Sequence, residues 1–385
     1  MKIVAKTANE AMAEAMRQIN PDVVAAYPIT PATEIVQIFS SFVHDGLVDT
    51  EFIAVESEHS AMSACIGAAA AGARVMTSTS SQGLALMDEV LYIAAGLRLP
   101  IVLCEINRAL SSPINIHCDH SDTMNVRDSG WIQIYSEDSQ EAYDSVIQAI
   151  RIAEEVFLPV MVTADGFILS HAMQRIEILD DEDVQKFIGK RRSPYNLLDV
   201  KNPKTIGPLD LQDYYFEHKY QEAQGMMGAS NVILNVAKEF GEKFGRYYGL
   251  IEEYKLEDAD YAIVVIGSTA GTAKETIDEM REKGEKVGLL RVRVFRPFPA
   301  EEIRNALRNC KKIGVLDRAE GLNAFGGPLY MEIKAALYGD KNLPEIFSFI
   351  YGLGGRDIKP HDIEETFKKI KDGNVEKINY IGVRI

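Results

Sequence analysis

The stretch VMTSTSSQGLALMDEVLYIAA, residues 75–95, contains the pattern that decides the fold. Its first part, Val75 to Thr79, has the length and composition of a buried strand, and Leu84 to Ala95 repeats apolar residues at helical spacing. The short polar turn Ser80-Ser81-Gln82-Gly83 joins the two. A strand that leads directly into a helix is the repeating unit of parallel sheets, so this stretch predicts an α/β fold.

The same alternation continues on both sides of this unit. Val23 to Tyr27 and Phe52 to Val55 predict two strands before it, and Ile101 to Ile106 and Val160 to Ala164 predict two strands after it. Helical patterns fill the segments between these strands. We therefore expect residues 1–170 to form one domain, with a mostly parallel sheet that has helices on both faces.

Three helices of this domain have recognisable start signals. Thr7 to Glu10 fits the capping box T-x-x-E, and Ser57 is a suitable cap for the helix that begins near Glu58. Thr30-Pro31 predicts a third start, with Thr30 as the cap and Pro31 at the first helical position.

The alternation stops near residue 171 and resumes near residue 256. Residues 171–255 are charged and aromatic, with one helical pattern at Gly228 to Phe244, which predicts an extended connector packed on its neighbours. Residues 256–385 predict a second α/β domain. Its expected strands are Tyr261 to Ile266, Lys286 to Phe295 and Lys312 to Asp317.

The overall composition argues against several classes of protein. A net charge of −16 opposes binding to the phosphate backbone of nucleic acids, and no apolar run reaches the roughly 18 residues of a membrane helix. The N-terminus lacks the apolar core of a secretory signal, so we expect a cytoplasmic protein. The four cysteines contain no C-x-x-C pair, so we expect any iron–sulfur cluster to lie on another chain.

Polar residues follow four of the predicted strands of the first domain. Thr30, Glu58, the turn Ser80 to Gly83 and Arg108 each come soon after a strand. Open parallel sheets bind ligands at the carboxyl ends of their strands. These residues are therefore expected to line one crevice.

Each of these residues also has an ordinary structural interpretation. Thr30 is either a simple cap or part of a helix start that binds a carboxylate or a carbonyl oxygen. Glu58 either complements a helix dipole or offers a shielded carboxyl to a ring nitrogen of a ligand. Arg108 is either a solvated charge or a guanidinium that binds a substrate carboxylate through two hydrogen bonds.

Three other motifs carry weaker signals. His117-Cys118-Asp119-His120 with Asp122 resembles a metal cluster, but its spacing is too tight for most structural zinc sites. The composition of this loop suits hydrogen bonding equally well, and no metal is expected. Gly267 to Thr272 lacks the G-x-G-x-x-G order of nicotinamide sites. Gly352 to Asp357 is either an anion-binding turn or a simple bend.

Six ordered motifs resemble the alpha subunits of the 2-oxoacid:ferredoxin oxidoreductases, and most of all those of the pyruvate enzymes, also called pyruvate synthases. They are YPITP (27–31), VESEHSA (55–61), SSQGL (80–84), NRAL (107–110), IHCDHSD (116–122) and RDSGW (127–131). The likeness continues through FRPFP (295–299) and YGLGGRD (351–357), and so covers essentially the whole chain.

This resemblance implies a pyrimidine-type thiamine-diphosphate-binding domain, followed by a domain like the C-terminal domain of transketolase. It implies that Glu58 is a catalytic residue that binds the pyrimidine ring of thiamine diphosphate. It also implies that Thr30 and Arg108 are catalytic residues that bind pyruvate. The implied reaction is the reversible oxidative decarboxylation of pyruvate with coenzyme A to acetyl-CoA and CO2, which reduces ferredoxin.

The resemblance also implies partner chains. The sequence lacks the G-D-G motif, followed by Asn, that would hold magnesium and diphosphate. Beta, gamma and delta subunits are therefore expected to supply the magnesium site and the 4Fe–4S clusters. The alternatives are the same chemistry on another 2-oxoacid, such as 2-oxoisovalerate or 2-oxoglutarate, a non-catalytic assembly subunit, or a free-standing nicotinamide dehydrogenase.

Overall fold

The fold consists of two large sheets and one small sheet, with helices on both faces of each large sheet. The computed structural model describes residues 1–322, 325–339 and 343–384. Among the helices of these ranges, none has the length and apolar content of a membrane span.

The first large sheet has seven strands, and the predicted parallel units form most of it. In spatial order the strands are β12 (Val294–Arg296), β6 (Ile132–Tyr135), β7 (Val160–Asp165), β5 (Ile101–Asn107), β4 (Val75–Thr79), β2 (Val23–Ala26) and β3 (Glu51–Ala54). All neighbouring pairs are parallel except β12 with β6. The carboxyl ends of the six parallel strands therefore lie at one edge of the sheet.

Helices cover this sheet on both faces, because successive side chains of each strand point to opposite sides. Val24 and Met76 pack with α1, α2 and α6, whereas their neighbours Ala25 and Val75 pack with α3 and α4. The helices are α1 (Ala8–Ile19), α2 (Thr33–His44), α3 (Glu58–Ala70), α4 (Gln82–Gly96), the short α5 (Ser121–Asn125) and α6 (Ser139–Val156).

Two of the three predicted helix starts are confirmed. Thr7 and Glu10 form the complete capping box of α1. Ser57 caps α3 by accepting a hydrogen bond from the backbone N–H of Ser60 (3.2 Å). This cap fixes the position of Glu58, the first residue of α3.

The third predicted start, with Thr30 as the cap and Pro31 in the first turn, is wrong, because α2 begins at Thr33. The carbonyl oxygen of Thr30 accepts a hydrogen bond from Arg108 Nη1 (2.9 Å), and that of Pro31 accepts one from Asn9 Nδ2 (2.8 Å). Side chains of other elements therefore bind the carbonyl groups that a helix starting at Thr30 would use within its own first turn.

The segment 171–255 contains two helices, so the prediction of a single helix is wrong. α7 (Asp181–Ile188) has only eight residues, which is too few for a clear periodic pattern. In addition, β8 (Gln174–Ile178) pairs antiparallel with β1 (Lys2–Lys6) and forms the small sheet. The short elements were not predicted because their polar and charged residues have the composition of a loop.

The second helix of this segment, α8 (Tyr215–Phe244), begins well before the predicted residue 228. The early part carries exposed apolar residues, such as Tyr215, Phe216 and Tyr220, and lacks a regular buried face. The later part buries residues at helical spacing, including Ile233 and Phe240. The helical pattern is visible only where one face is buried.

The second large sheet has six strands. In spatial order they are β15 (Ile378–Tyr380), β14 (Glu345–Ile350), β13 (Lys312–Asp317), β10 (Tyr261–Val265), β11 (Val287–Val292) and β9 (Ile251–Tyr254), and only β9 is antiparallel to its neighbour. The helices on its two faces are α9 (Thr269–Glu282) and α12 (Pro360–Asp372) on one side, and α10 (Ala300–Leu307) and α11 (Pro328–Leu337) on the other.

The predicted strand Lys286 to Phe295 is divided between the two large sheets, so the prediction of one strand is wrong. β11 belongs to the second sheet and β12 to the first, and Arg293 lies between them. Buried Arg293 donates to Glu141 Oε1 (2.7 Å), and Arg291 donates to Glu141 Oε2 (2.8 Å). Because a buried guanidinium needs an anionic partner, this carboxylate of α6 stabilises the junction at which the chain changes sheets.

Candidate active site

The candidate site lies at the edge of the first sheet where the parallel strands have their carboxyl ends. β7, β5, β4 and β2 are direct neighbours in that sheet, and each is followed by a loop that reaches the same edge. These loops carry Thr30, the turn Ser80–Ser81, Arg108 and Gly166. The loops after β7 and β2 pack directly on each other at Gly166 and Pro31. A Cβ atom on Gly166 would lie only 2.9 Å from Pro31 Cγ, so no side chain fits at position 166.

Arg108 is buried, with only 7% of its surface exposed, so it is not a solvated surface charge. Its Nη1 donates to the carbonyl oxygen of Thr30 (2.9 Å), and its Nε donates to the carbonyl oxygen of Asn115 (2.9 Å). Burial lowers the pKa of Arg108 from its ordinary value, although the nearby Asp122 opposes this effect. Carbonyl groups from two loops thus fix the plane of the guanidinium.

Thr30 contacts Arg108 through its backbone, not through its side chain. Residue 30 as a whole is exposed to solvent, whereas the neighbouring Ala32 is buried. Thr30 therefore lies at the open side of the site, and its backbone carbonyl binds the guanidinium of Arg108.

Glu58 is buried, with 6% of its surface exposed, although it is the first residue of a helix. Its carboxyl group reaches the first turn of α4, because a Cβ atom on Gly83 would lie 2.7 Å from Glu58 Oε1 and would also contact Thr79 Oγ1. Glycine at position 83 therefore provides the space that the carboxyl group occupies.

A series of contacts connects Glu58 with Arg108. Gly83 contacts Glu58, and Ser81, two residues earlier, donates its backbone N–H to Asp122 Oδ2 (3.1 Å). The same oxygen accepts the backbone N–H of Arg108 (2.8 Å). The structure thus brings the residues that sequence reasoning selected after β3, β4 and β5 into one connected group.

Asp122 is a central residue of this group, whereas the sequence indicated only a possible metal ligand or a residue of a hydrogen-bonded loop. Besides the two bonds just described, its Oδ1 accepts Asn107 Nδ2 (3.0 Å) and the backbone N–H of Thr123 (2.8 Å). Burial raises the pKa of Asp122 to about 6. The only available signal was an acidic residue in a motif shared with the family, which does not reveal that it joins two loops.

The possible metal ligands lie together, but a cation of the protein is already among them. Cys118, His120 and Asp165 have ligand atoms within 4.8 Å of one another. His120 Nε2 lies 2.8 Å from Asp165 Oδ1, and Arg318 Nη1 donates to Asp165 Oδ2 (3.0 Å) and lies 3.9 Å from Cys118 Sγ. Although burial disfavours the charge, His120 and Arg318 hold the pKa of Asp165 below its ordinary value. We interpret this group as an ion-pair network between the two domains.

The glycine-rich turn Gly352 to Asp357 packs against the loop that follows Arg108. The backbone N–H of Gly354 donates to Asp119 Oδ2 (3.1 Å), and that of Gly355 donates to the carbonyl oxygen of Cys118 (2.6 Å). These two N–H groups bind the first domain, so they do not form an open anion-binding turn.

Gly83→Ala is expected to lower the turnover of the assembled complex by about 10–100-fold, because the added methyl group displaces the Glu58 carboxyl. Overpacking of this kind also costs about 1–3 kcal/mol of stability. Turnover and thermal unfolding of the purified variant complex measure the two effects.

Gly96→Ala is the matched control, since Gly96 is in the same helix and a Cβ atom there would have nothing within 4 Å. It is expected to keep normal turnover. Equal effects of the two substitutions would show that the space beside Glu58 is not important.

Two family models match the chain. Residues 14–238 match the model described as "Pyruvate flavodoxin/ferredoxin oxidoreductase, thiamine diP-bdg", and residues 259–363 match "Pyruvate:ferredoxin oxidoreductase core domain II". The chain belongs to the pyruvate:ferredoxin oxidoreductase family. The predicted family is thereby confirmed, and the first match contains all of the candidate site residues.

Curated members of this family are similar to the chain over nearly its full length. The chain is 56% identical to the pyruvate synthase subunit PorA of Thermotoga maritima, over 99% of this chain and 98% of that protein. It is 49% identical to the corresponding subunit of Methanothermobacter thermautotrophicus, over 98% and 97% of the two chains. It is 44% identical to the ketoisovalerate oxidoreductase subunit VorA of Pyrococcus abyssi, over 96% and 94%.

Solved structures share the fold. The 2-oxoglutarate:ferredoxin oxidoreductase of Magnetococcus marinus, solved with 2-oxoglutarate, coenzyme A and succinyl-CoA bound, has a TM-score of 0.73 at 21% identity. The match covers 96% of this chain and 65% of that longer chain. A split-gene transketolase has a TM-score of 0.57 at 13% identity, over 94% and 97% of the two chains. The predicted α/β class, with a thiamine-type first domain and a transketolase-like fold, is confirmed.

Proposed function

We propose that the chain is the alpha subunit of a pyruvate:ferredoxin oxidoreductase, or pyruvate synthase, and that it is active only in a multi-subunit complex. The complex converts pyruvate and coenzyme A to acetyl-CoA and CO2, reduces ferredoxin, and also runs in reverse. The observation that carries this proposal is the shielded Glu58 carboxyl, which lies beside Gly83 at the sheet edge that also holds Arg108. Identity of 56% to a pyruvate synthase subunit supports the choice of substrate.

We assign Glu58 to the pyrimidine ring of thiamine diphosphate. The residues fit this group, because the carboxyl is shielded from water and is not crowded by a side chain at position 83. When bound, thiamine diphosphate supplies a carbon nucleophile and an electron sink for the decarboxylation of a 2-oxoacid. Glu58 in turn holds or shares the proton at a ring nitrogen, as a carboxyl in a protected site can.

We assign Arg108 and Thr30 to the 2-oxoacid. A guanidinium has five N–H donors, and the side-chain bonds of Arg108 to Thr30 and Asn115 use two of them. The remaining donors suit a planar carboxylate, which a guanidinium binds in a bidentate manner. The exposed Thr30 supplies a hydroxyl group for the keto oxygen.

Partner chains are part of the proposal. The described thiols Cys65, Cys104, Cys118 and Cys310 are free and buried, and no two belong to one motif. We therefore assign the 4Fe–4S clusters to beta, gamma and delta subunits. We also assign the magnesium ion and the diphosphate site to these subunits, and we place the complex in the cytoplasm. On this chain we propose the division into residues 1–170, the connector 171–255 and residues 256–385.

The test is to purify the complex with this chain and to measure ferredoxin reduction that depends on both a 2-oxoacid and coenzyme A. We expect kcat/KM for pyruvate to exceed that for 2-oxoglutarate and 2-oxoisovalerate, with thiamine and iron present in the complex. The 44% identity to a ketoisovalerate oxidoreductase subunit makes 2-oxoisovalerate the second candidate. If kcat/KM is higher for 2-oxoisovalerate than for pyruvate, the proposed substrate is wrong and 2-oxoisovalerate takes its place.

A further inference from the structure

The loop from Arg108 to Ser121 folds back onto its own beginning. The backbone N–H of Ala109 donates to the carbonyl oxygen of His117 (3.0 Å), and that of Leu110 donates to Ser121 Oγ (3.0 Å). The loop therefore returns to the carboxyl end of β5, where it began. In this closed form the carbonyl group of Asn115 reaches the Arg108 guanidinium.

Asn115, in this loop, forms hydrogen bonds with three different parts of the chain. Its carbonyl oxygen accepts Arg108 Nε (2.9 Å), and its Oδ1 accepts the backbone N–H of His117 (2.7 Å). Its Nδ2 donates to the carbonyl oxygen of Gly354 in the second domain (3.0 Å). One side chain thus fixes both the loop and its distance from the second domain, while the backbone of the same residue holds Arg108.

The turn in the second domain is shaped to receive this side chain. Gly354 and Gly355 both have positive φ angles, of 60° and 80°. A Cβ atom on Gly354 would clash with Asn115 Nδ2, and one on Gly355 would clash with the side chain of His117. The turn therefore needs glycine for its conformation and for its close approach to the loop.

We propose that Asn115 is a positioning residue that couples the second domain to substrate binding, by holding the Arg108 guanidinium in the orientation that receives the carboxylate of the 2-oxoacid. The inference rests on the proposed role of Arg108. It gives the second domain a role in substrate binding. Gly354 of that domain is 246 positions from Arg108 in the sequence, yet both residues hydrogen-bond to Asn115.

The first test is Asn115→Ala in the purified complex. We expect the KM for pyruvate to rise about tenfold while kcat changes less than about twofold, because a carboxylate contact acts on substrate binding before it acts on chemistry. Asn115→Asp separates the two side-chain bonds. It keeps the acceptor for His117 but sets a carboxylate against the Gly354 carbonyl, so we expect at least the effect of alanine.

The second test approaches the same contact from the other domain. Gly354→Ala is expected to raise the KM for pyruvate by a similar factor. Gly284→Ala is its matched control, because Gly284 also has a positive φ angle but a Cβ atom there would have nothing within 4 Å. Asn202→Ala is the control for Asn115→Ala, since Asn202 also hydrogen-bonds on an exposed loop, to Asp199 (2.9 Å).

A double-mutant cycle with Arg108→Ala separates the inference from the proposed function. If Asn115 acts through Arg108, then Asn115→Ala adds no further change in KM to the Arg108→Ala complex. If Arg108→Ala leaves KM unchanged, the proposed role of Arg108 is wrong, and the inference falls with it. If Arg108→Ala raises KM but the Asn115 and Gly354 variants do not, the positioning role alone is overturned.

Discussion

Replacing Glu58 by glutamine is expected to lower the turnover of pyruvate by about 10³-fold, which is within the range of general acid–base catalysis. The glutamine side chain has nearly the same size and fits beside Gly83, but its amide cannot exchange a proton with a ring nitrogen. The purified complex should therefore assemble and bind thiamine diphosphate, yet reduce ferredoxin very slowly. Turnover is measured together with thiamine content and subunit composition, so that loss of chemistry is distinguished from loss of assembly.

Glu56→Gln is the matched control for this substitution. Glu56 lies two residues earlier, is exposed, and accepts a hydrogen bond from Ser60 Oγ (2.5 Å). The change removes the same charge two residues before Glu58, just outside α3, without touching the site, so turnover should stay normal. Nearly normal turnover of the Glu58→Gln complex would instead favour a non-catalytic assembly subunit.

Replacing Arg108 by alanine is expected to lower kcat/KM for pyruvate by about 10²-fold, mostly through a higher KM. Hydrogen bonds to charged groups are worth about 1.5–3 kcal/mol each, and a bidentate carboxylate contact loses at least one of them. Steady-state kinetics over a range of pyruvate concentrations measure the effect. Free guanidinium ions should restore part of the lost activity, because they can enter the space that the side chain vacates.

Arg108→Lys distinguishes the geometry of this side chain from its charge. Lysine keeps the charge but cannot donate to Thr30, Asn115 and a carboxylate in one plane. We therefore expect kcat/KM of the Arg108→Lys complex to be nearly as low as that of the Arg108→Ala complex. Arg175→Ala is the control, since Arg175 is exposed and forms an ion pair with Glu177 (2.9 Å) on the small sheet. Full activity of the lysine variant would show that a positive charge alone suffices at position 108.

The repeated βα units and the edge that holds the candidate site could be predicted from the sequence, because both depend on local patterns. Strands with an apolar run, such as Ile101–Asn107, and caps such as Ser57 are determined by neighbouring residues. Glu58 and Arg108 were selected because parallel strands have a common carboxyl edge. The predicted helix start at Thr30 was wrong, because Arg108 and Asn9 bind the local carbonyl groups from other elements.

The parts that could not be predicted are contacts between distant residues. Nothing near Asp122 indicates that it joins the loops after β4 and β5, and nothing near Asn115 indicates Gly354 as its partner. Asp122 stands in a possible metal cluster and Gly354 in a possible anion-binding turn, and both motifs were noticed for other reasons. Local composition indicates a polar loop in both cases. Asp122 finds its partners in other loops of the first domain, whereas Asn115 reaches Gly354 only because the two domains pack together.

The strand β12 also bears on how this polypeptide can be divided by evolution or by cloning. It is contributed by the second half of the chain, yet it forms the edge of the first sheet and covers β6, which would otherwise be the edge strand. A gene fragment that ended after residue 255 would leave the backbone of β6 open to pairing with other molecules, which is a known route to aggregation. Exchange of modules by recombination would therefore have to keep residues 294–296 with the first half.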